Sequence, residues 1–225
     1  MAESNVPFLG PQQNTSITFH SFEELAALTL PYLLKGNIAL SGGSTYGRLF
    51  PLWTKLSPDC SEATFFPVDE RLVEFDDPSS NWGAAYRNFL SRIGKSEDKA
   101  NFAASADAYR DLLKSHFQAE LPMFDVVFLG VGDDGHTASL FPGEDYLDDL
   151  SSVVLETTSP KPPFRRVTLA MAPLIAAKTL IVIIAGKEKK PIVAKIFAKD
   201  ETLPICKVFS RRKNSLLFVE NSLLY

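Results

Sequence analysis

The amino-acid sequence predicts an α/β fold in which a mainly parallel sheet carries helices on both faces. Three observations lead there. Short apolar runs alternate with longer amphipathic segments along most of the chain. Runs such as "FDVVFL" and "TLIVIIAG" are nearly continuous in Val, Ile, Leu and Phe, as strands buried on both faces require. Strand-like runs end in glycine-rich or charged turns, "SGGST", "VDER", "GVGDDGH" and "AGKEKK". In an open parallel sheet such turns gather at one edge, where ligands bind.

Residues 1–16 are polar and contain Pro, Gln and Asn, which predicts a flexible N-terminal arm. No Pro/Gly/Ser linker divides the rest, so 17–225 is expected to be a single α/β domain. "SITFH" is the first strand. "SFEELAALTLPYLLKG" predicts a helix capped by Ser21, with Glu24 completing a capping box and Pro31 kinking it or ending it early. "NIALSGG" is a strand running into glycines, followed by a helix from about Thr45 to Leu56. "ATFFPVDER" is a strand in which Pro67 argues against a central hydrogen-bonded position. "SNWGAAYRNFLSRIG" and "SADAYRDLLKSHFQAEL" have helical spacing, and "MFDVVFLGVG" is a buried strand. "SVVLET" and "RRVTLAM" are strands, and "APLIAAK" is a short helix. "TLIVIIAG" is a strand, "KEKKPIVAKIFAK" a helix interrupted near Pro191, and "NSLLFVE" the last strand.

The chain has 225 residues, 45% of them hydrophobic, and a formal net charge of -4. A sizeable core is available, and the intermixed charges exclude the basic footprint of a nucleic-acid binder. An anionic ligand must therefore be held by local donors. Cys60 and Cys206 are far apart and in no metal-ligand spacing, so reduced thiols are expected. The N-terminus lacks the basic start and apolar stretch of a secretory signal, and the longest apolar run is too short for a membrane span. A soluble cytoplasmic protein follows, a monomer or weak homo-oligomer with no nucleic-acid or membrane partner.

"LSGGST", from Leu40 to Thr45, lies between a strand and a helix. Gly42 and Gly43 permit a sharp turn, Ser44 and Thr45 add hydroxyls, and the helix start adds free N–H groups. That is a phosphate cradle, or else a simple strand–helix turn with a Ser or Thr cap. "VDERLVEFDDPSSN" opens with Asp69, Glu70 and Arg71, which suit either substrate contacts or a salt-bridged surface loop. Asn81 is a candidate cap for the helix that follows.

"GVGDDGHTASLFPG" carries the strongest signal. His136 is one of three histidines in the chain, and imidazole is the side chain suited to taking a proton near neutral pH. Asp134, two residues earlier, can orient it. The plain alternative is a glycine turn with a helix cap at Thr137. "KPPFRRVTLAMAPL" places Arg165 and Arg166 at a strand start, one of them able to reach an anion. "AGKEKK" places Lys187, Lys189 and Lys190 after a strand, most of them solvated. His20 and His116 lack companions and are structural. No metal is expected, because one histidine with two carboxylates is a poor zinc set.

Taken together, "ALSGGST", "VDER…SN", "FLGVGDDGHTASLFPG" and "PPFRRVTL…GKEKK" resemble the 6-phosphogluconolactonase family, within the sugar-phosphate group that includes glucosamine-6-phosphate deaminases. The likeness runs from about Ile38 to Val219. It implies a Rossmann-like fold, no cofactor, and hydrolysis of 6-phosphoglucono-δ-lactone. By motif match His136 is the general base, and Asp134 and Asp69 are the nearby carboxylates. The turn Gly42, Gly43, Ser44 and Thr45 holds the phosphate with Arg165 and Lys189, and Arg71 assists. Tyr46 stands where the family pattern has Pro, and "LLFVE" where it has Trp-Phe before an acid.

Two rivals carry different chemistry. A deaminase–isomerase has a Glu before the Pro that follows "DGH", and here that position is Phe141. A non-catalytic sugar-phosphate sensor shares this kind of fold, but the sixteen-residue arm is too short for an N-terminal helix-turn-helix.

Overall fold

In the computed structural model, which describes residues 15–212 and 214–225, the strand-like runs form two sheets. The larger contains β1 (Thr15–Phe19), β2 (Lys35–Leu40), β3 (Glu62–Pro67), β5 (Val126–Gly130), β8 (Thr179–Ile184) and β9 (Ser215–Glu220). Its order is β1-β9-β8-β5-β2-β3, and every pairing is parallel. The smaller sheet is antiparallel, with β7 (Arg165–Leu169) between β4 (Asp69–Arg71) and β6 (Val154–Thr158).

Alternation along the strands divides the core in two. Val127 and Leu129 of β5 and Leu180, Val182 and Ile184 of β8 pack on one face. Their neighbours Val126, Phe128, Ile181 and Ile183 pack on the other. The first face is covered by α4 (Ala106–Phe117), α5 (Met171–Ala176), α6 (Lys190–Phe197) and α7 (Pro204–Ser210). The second is covered by α1 (Phe22–Thr29), α2 (Gly43–Lys55) and α3 (Asn81–Asn88). Full burial of residues such as Trp53, Phe128 and Phe65 contributes roughly 1.5–3 kcal/mol per large apolar side chain.

Local chemistry explains most boundaries and corrects some. Ser21 caps α1 by accepting from Glu24 N at 3.1 Å, and Glu24 accepts in turn from His20 N at 2.7 Å. Pro31 lies in the short 3-10 turn Leu30–Leu33 that ends the helix. The stretch "ATFFPVDER" is two strands rather than one. Pro67 ends the edge strand β3, and the chain crosses to the small sheet at Val68. Its N–H donates to Leu40 O at 2.9 Å in one sheet, and its carbonyl accepts from Leu169 N at 2.8 Å in the other. The open side of β3 is covered by polar side chains, Phe65 N donating to Asp98 Oδ2 at 2.9 Å and Asn101 Nδ2 to Phe65 O at 2.7 Å, which blunts an edge that would otherwise pair. No helix follows Thr137; its hydroxyl closes the glycine turn by donating to Gly130 O at 2.9 Å. The expected arm lies largely outside the described residues, and its last two positions, Thr15 and Ser16, belong to β1.

Candidate active site

The chain leaves β2 for β3 in one direction across the sheet and leaves β5 for β8 in the other. The adjacent carboxyl ends of β2 and β5 are therefore a topological switch point, where a crevice opens between two diverging turns. Two adjoining hollows of about 180 and 280 Å³ lie there. Asp69, Arg71, Asp133, His136 and Ala138 line both.

One wall is the turn after β2. Gly42 precedes α2 in extended backbone, and Gly43 to Thr45 form the first turn of the helix. All four line the smaller hollow. Glycine is required at 42 by space, since a Cβ there would lie 2.2 Å from Asn81 Cγ. The first N–H groups of a helix have no partner within it, so this turn offers donors and the positive end of the helix dipole. Tyr46 points the other way. It is buried against Phe50 and Trp53, and among the described residues its hydroxyl has no hydrogen-bond partner. Position 46, one of the two departures from the family pattern, is thus a core position.

The facing wall is the turn after β5. Gly132 N donates to His136 O at 2.8 Å and closes the turn. A Cβ at Gly132 would lie 2.1 Å from His136 Nδ1, so the imidazole occupies the room that glycine leaves. Asp134 Oδ1 accepts from the His136 backbone N–H at 3.0 Å and meets Nδ1 of the ring at 2.5 Å. Partial burial works against ionisation of Asp134, but the bonds from the His136 ring and backbone and the imidazole charge outweigh it, and the carboxyl is lowered to about 2. A carboxylate here keeps the proton of neutral imidazole on Nδ1 and leaves Nε2 as the basic nitrogen. The Phe141 ring sits 5.1 Å from the imidazole, centroid to centroid.

The small sheet supplies the floor. Asp69 is buried, and its Oδ2 accepts from Ser139 Oγ at 2.7 Å. Ser139 is held by Thr168 and Thr157 of β7 and β6, at 3.1 and 2.8 Å. Arg71 stands on the same face as Asp69, and Arg166 pairs with it across the strands. Arg165, expected at the phosphate, lines neither hollow. Alternation turns Arg165 outward, where it is exposed and pairs with Glu156 at 3.3 Å. Arg166 is buried and lines the larger hollow, and among the described residues its Nε, like that of Arg71, has no hydrogen-bond partner. Burial, then the neighbouring Arg71, pulls the Arg166 guanidinium below its usual value, against Asp69 and Glu70.

Lys189 lines the hollow beside the Gly42–Thr45 turn. Lys187 is exposed, and Lys190 is tied to the Tyr225 carbonyl. Lys161 pairs with Asp133 at 3.1 Å across the mouth. Asn81 and Ser139 line the cleft as well, and neither stands out in the sequence as a site residue. The Asn81 side chain donates to Asp69 O at 3.3 Å, while the cap of α3 is Ser80. His20 and His116 lie outside the cleft, His116 against Asn37 Oδ1 at 2.8 Å and the Phe66 ring. Among the described residues no group of three or more His, Cys, Asp and Glu side chains is gathered as a metal site needs.

A base beside a carboxylate, helix N–H groups and paired guanidiniums in one crevice can activate water and hold anions. A protein-family model described as glucosamine-6-phosphate isomerases/6-phosphogluconolactonase matches residues 24–218. A Homo sapiens protein named 6-phosphogluconolactonase is 37% identical over 182 residues, covering 75% of this chain and 70% of that one. A Rattus norvegicus protein of the same name is 34% identical over 211 residues, covering 85% and 82%. The solved structure of 6-phosphogluconolactonase from Trypanosoma brucei superposes with a TM-score of 0.80 at 26% identity, covering 95% of this chain and 98% of that one. The chain belongs to the glucosamine-6-phosphate isomerase/6-phosphogluconolactonase family.

Proposed function

We propose that this protein hydrolyses 6-phosphoglucono-δ-lactone to 6-phosphogluconate, the second step of the oxidative pentose phosphate pathway. The observation that carries the reading is the His136–Asp134 pair, 2.5 Å apart, at the switch point with Phe141 against the ring. A deaminase–isomerase needs a further acid near that histidine, and an apolar ring cannot move a proton.

In this reading Nε2 of His136 takes a proton from water as its oxygen attacks the lactone carbonyl. The carbonyl becomes an oxyanion, then re-forms as the ring C–O bond breaks. The proton passes from the imidazolium to the leaving ring oxygen, and Asp134 balances the imidazolium meanwhile. The phosphate lies on the Gly42–Thr45 turn with Lys189. Arg71 and Arg166 face the reacting end and stabilise the oxyanion. Asp69, fixed by Ser139, orients the sugar hydroxyls. A lactone is an activated ester, so positioning and charge stabilisation suffice without a covalent nucleophile.

The test is acid release from fresh 6-phosphogluconolactone, with the spontaneous rate subtracted, beside ammonia release from glucosamine 6-phosphate. Enzyme-dependent acid release with no ammonia is expected. Ammonia release would favour the isomerase reading, and neither product would favour a sensor.

A further inference from the structure

Glu70 is a fully buried acid that the reaction above does not use. It lies between Asp69 and Arg71, is 0% exposed, and accepts four hydrogen bonds. Oε1 accepts from the backbone N–H of Arg71 and of Asn81, each at 2.7 Å. Oε2 accepts from Trp82 N at 2.7 Å and Ser80 Oγ at 2.9 Å. The strand pleat sends Glu70 to the face opposite Asp69 and Arg71, and it lines neither hollow. Burying a charge is costly, and well-packed apolar residues often stabilise a core as well as buried ions do. Stability alone is therefore a weak account of a carboxylate at this position.

Its bonds reach the cleft at two points. Arg71 is held at its backbone by Glu70 and at its guanidinium by Ser79 O, 2.5 Å away. Asn81 is held at its backbone by Glu70, and its side chain spans from Asp69 O to the Gly42 turn, with no room left for a Cβ at 42. The start of α3 is thus pinned to β4, and the Asn81 side chain sets β4 against the Gly42–Thr45 turn. The stretches "VDER" and "SN" are the two halves of this clamp, joined by bonds across ten to twelve residues.

We infer that Glu70 is a positioning residue for substrate binding: by clamping the start of α3 to β4 it fixes Asn81 and Arg71 relative to the anion-holding turn. The inference rests on the lactonase reading for its substrate. Glu70→Gln keeps the shape but turns an amide nitrogen toward N–H donors. Its KM for 6-phosphogluconolactone should rise ~tenfold or more, the scale of lost charge-assisted bonds, with a smaller fall in kcat. Asn81→Ala should show the same split. The double variant should be no worse in KM than the worse single, because both act through one contact. Ser80→Ala, which removes one bond to Glu70 without changing charge, should raise KM in the same direction by less.

Inorganic phosphate binding, followed by titration calorimetry, should weaken in the same order and needs no turnover. A folded Glu70→Gln with wild-type KM and phosphate affinity would overturn the inference, as would KM effects that multiply in the double variant. Should Glu70→Gln fail to fold, wild-type values in both Ser80→Ala and Asn81→Ala would overturn it. An absence of wild-type hydrolysis would count against the lactonase reading alone, and the phosphate titrations would still decide the clamp.

Discussion

Arg71 and Arg166 are directly opposite one another on β4 and β7, and among the described residues neither forms an ion pair. Like charges facing across an antiparallel pair cost stability. Here both guanidiniums line a hollow shared with His136 and Asp69, so the arrangement is set up to receive negative charge.

Arg166→Ala should therefore lower kcat/KM by ~tenfold or more, on 6-phosphogluconolactone and on unphosphorylated glucono-δ-lactone alike. Arg165→Ala, altering an exposed residue paired with Glu156, should leave both unchanged. Steady-state kinetics on the two lactones check this. A loss at Arg166 confined to the phosphorylated lactone would move this side chain from the oxyanion to the phosphate.

Lys189→Ala and Gly42→Ala should instead discriminate between the two lactones. Lys189 lines the hollow beside the helix start, and a methyl group at 42 would collide with Asn81. Each should raise KM for the phosphorylated lactone by roughly tenfold and change the unphosphorylated one little. Equal losses on both substrates would contradict phosphate binding at this turn.

Asp134→Asn should reduce kcat by ~100-fold, the scale on which acid–base catalysis operates. Asp134 titrates at about 2, so it is ionised throughout the neutral range, and the variant removes a charge that mild acid does not. Near-normal kcat in Asp134→Asn would mean that the ring needs no counter-charge.

Stability should carry a pH signature from Asp98, at the edge of β3. Burial raises its carboxyl to about 6, against the bond from Phe65 N and the nearby Lys95. The folded value exceeds the ordinary Asp value of about 3.9, so the native state holds this proton more tightly. Its contribution is then full below about pH 4 and is lost as pH rises through the folded value. Asp98→Asn keeps an acceptor for Phe65 N–H and removes the titration. Denaturant midpoints should show the variant gaining on the wild type between pH 4 and pH 7, and a gap independent of pH would contradict the assignment.

The parallel sheet and its turns were legible because they follow from local pattern. The apolar run Val126–Leu129 is buried on both faces and reads as such, and the glycines after β2 and β5 mark turns whose backbone closely approaches a side chain, Asn81 at Gly42 and His136 at Gly132. What depended on distant pairing was not legible. The phase of β7, which separates Arg166 from Arg165, is set by Arg71 across the small sheet. Glu70 looks like a surface acid until Ser80, Asn81 and Trp82 fold onto it. Ser139 enters the site only because β6 and β7 hold it. The helix α7 had a local signal, Pro204 at its first position, of the kind that opens helices.

The proposed mechanism turns on His136 as the base. The decisive measurement is kcat for acid release from fresh 6-phosphogluconolactone by His136→Ala against wild type, with spontaneous hydrolysis subtracted. A fall of at least ~100-fold, with inorganic phosphate affinity preserved, is the predicted result. Turnover within a few-fold of wild type would contradict the assignment of His136 and, with it, the mechanism proposed for this cleft.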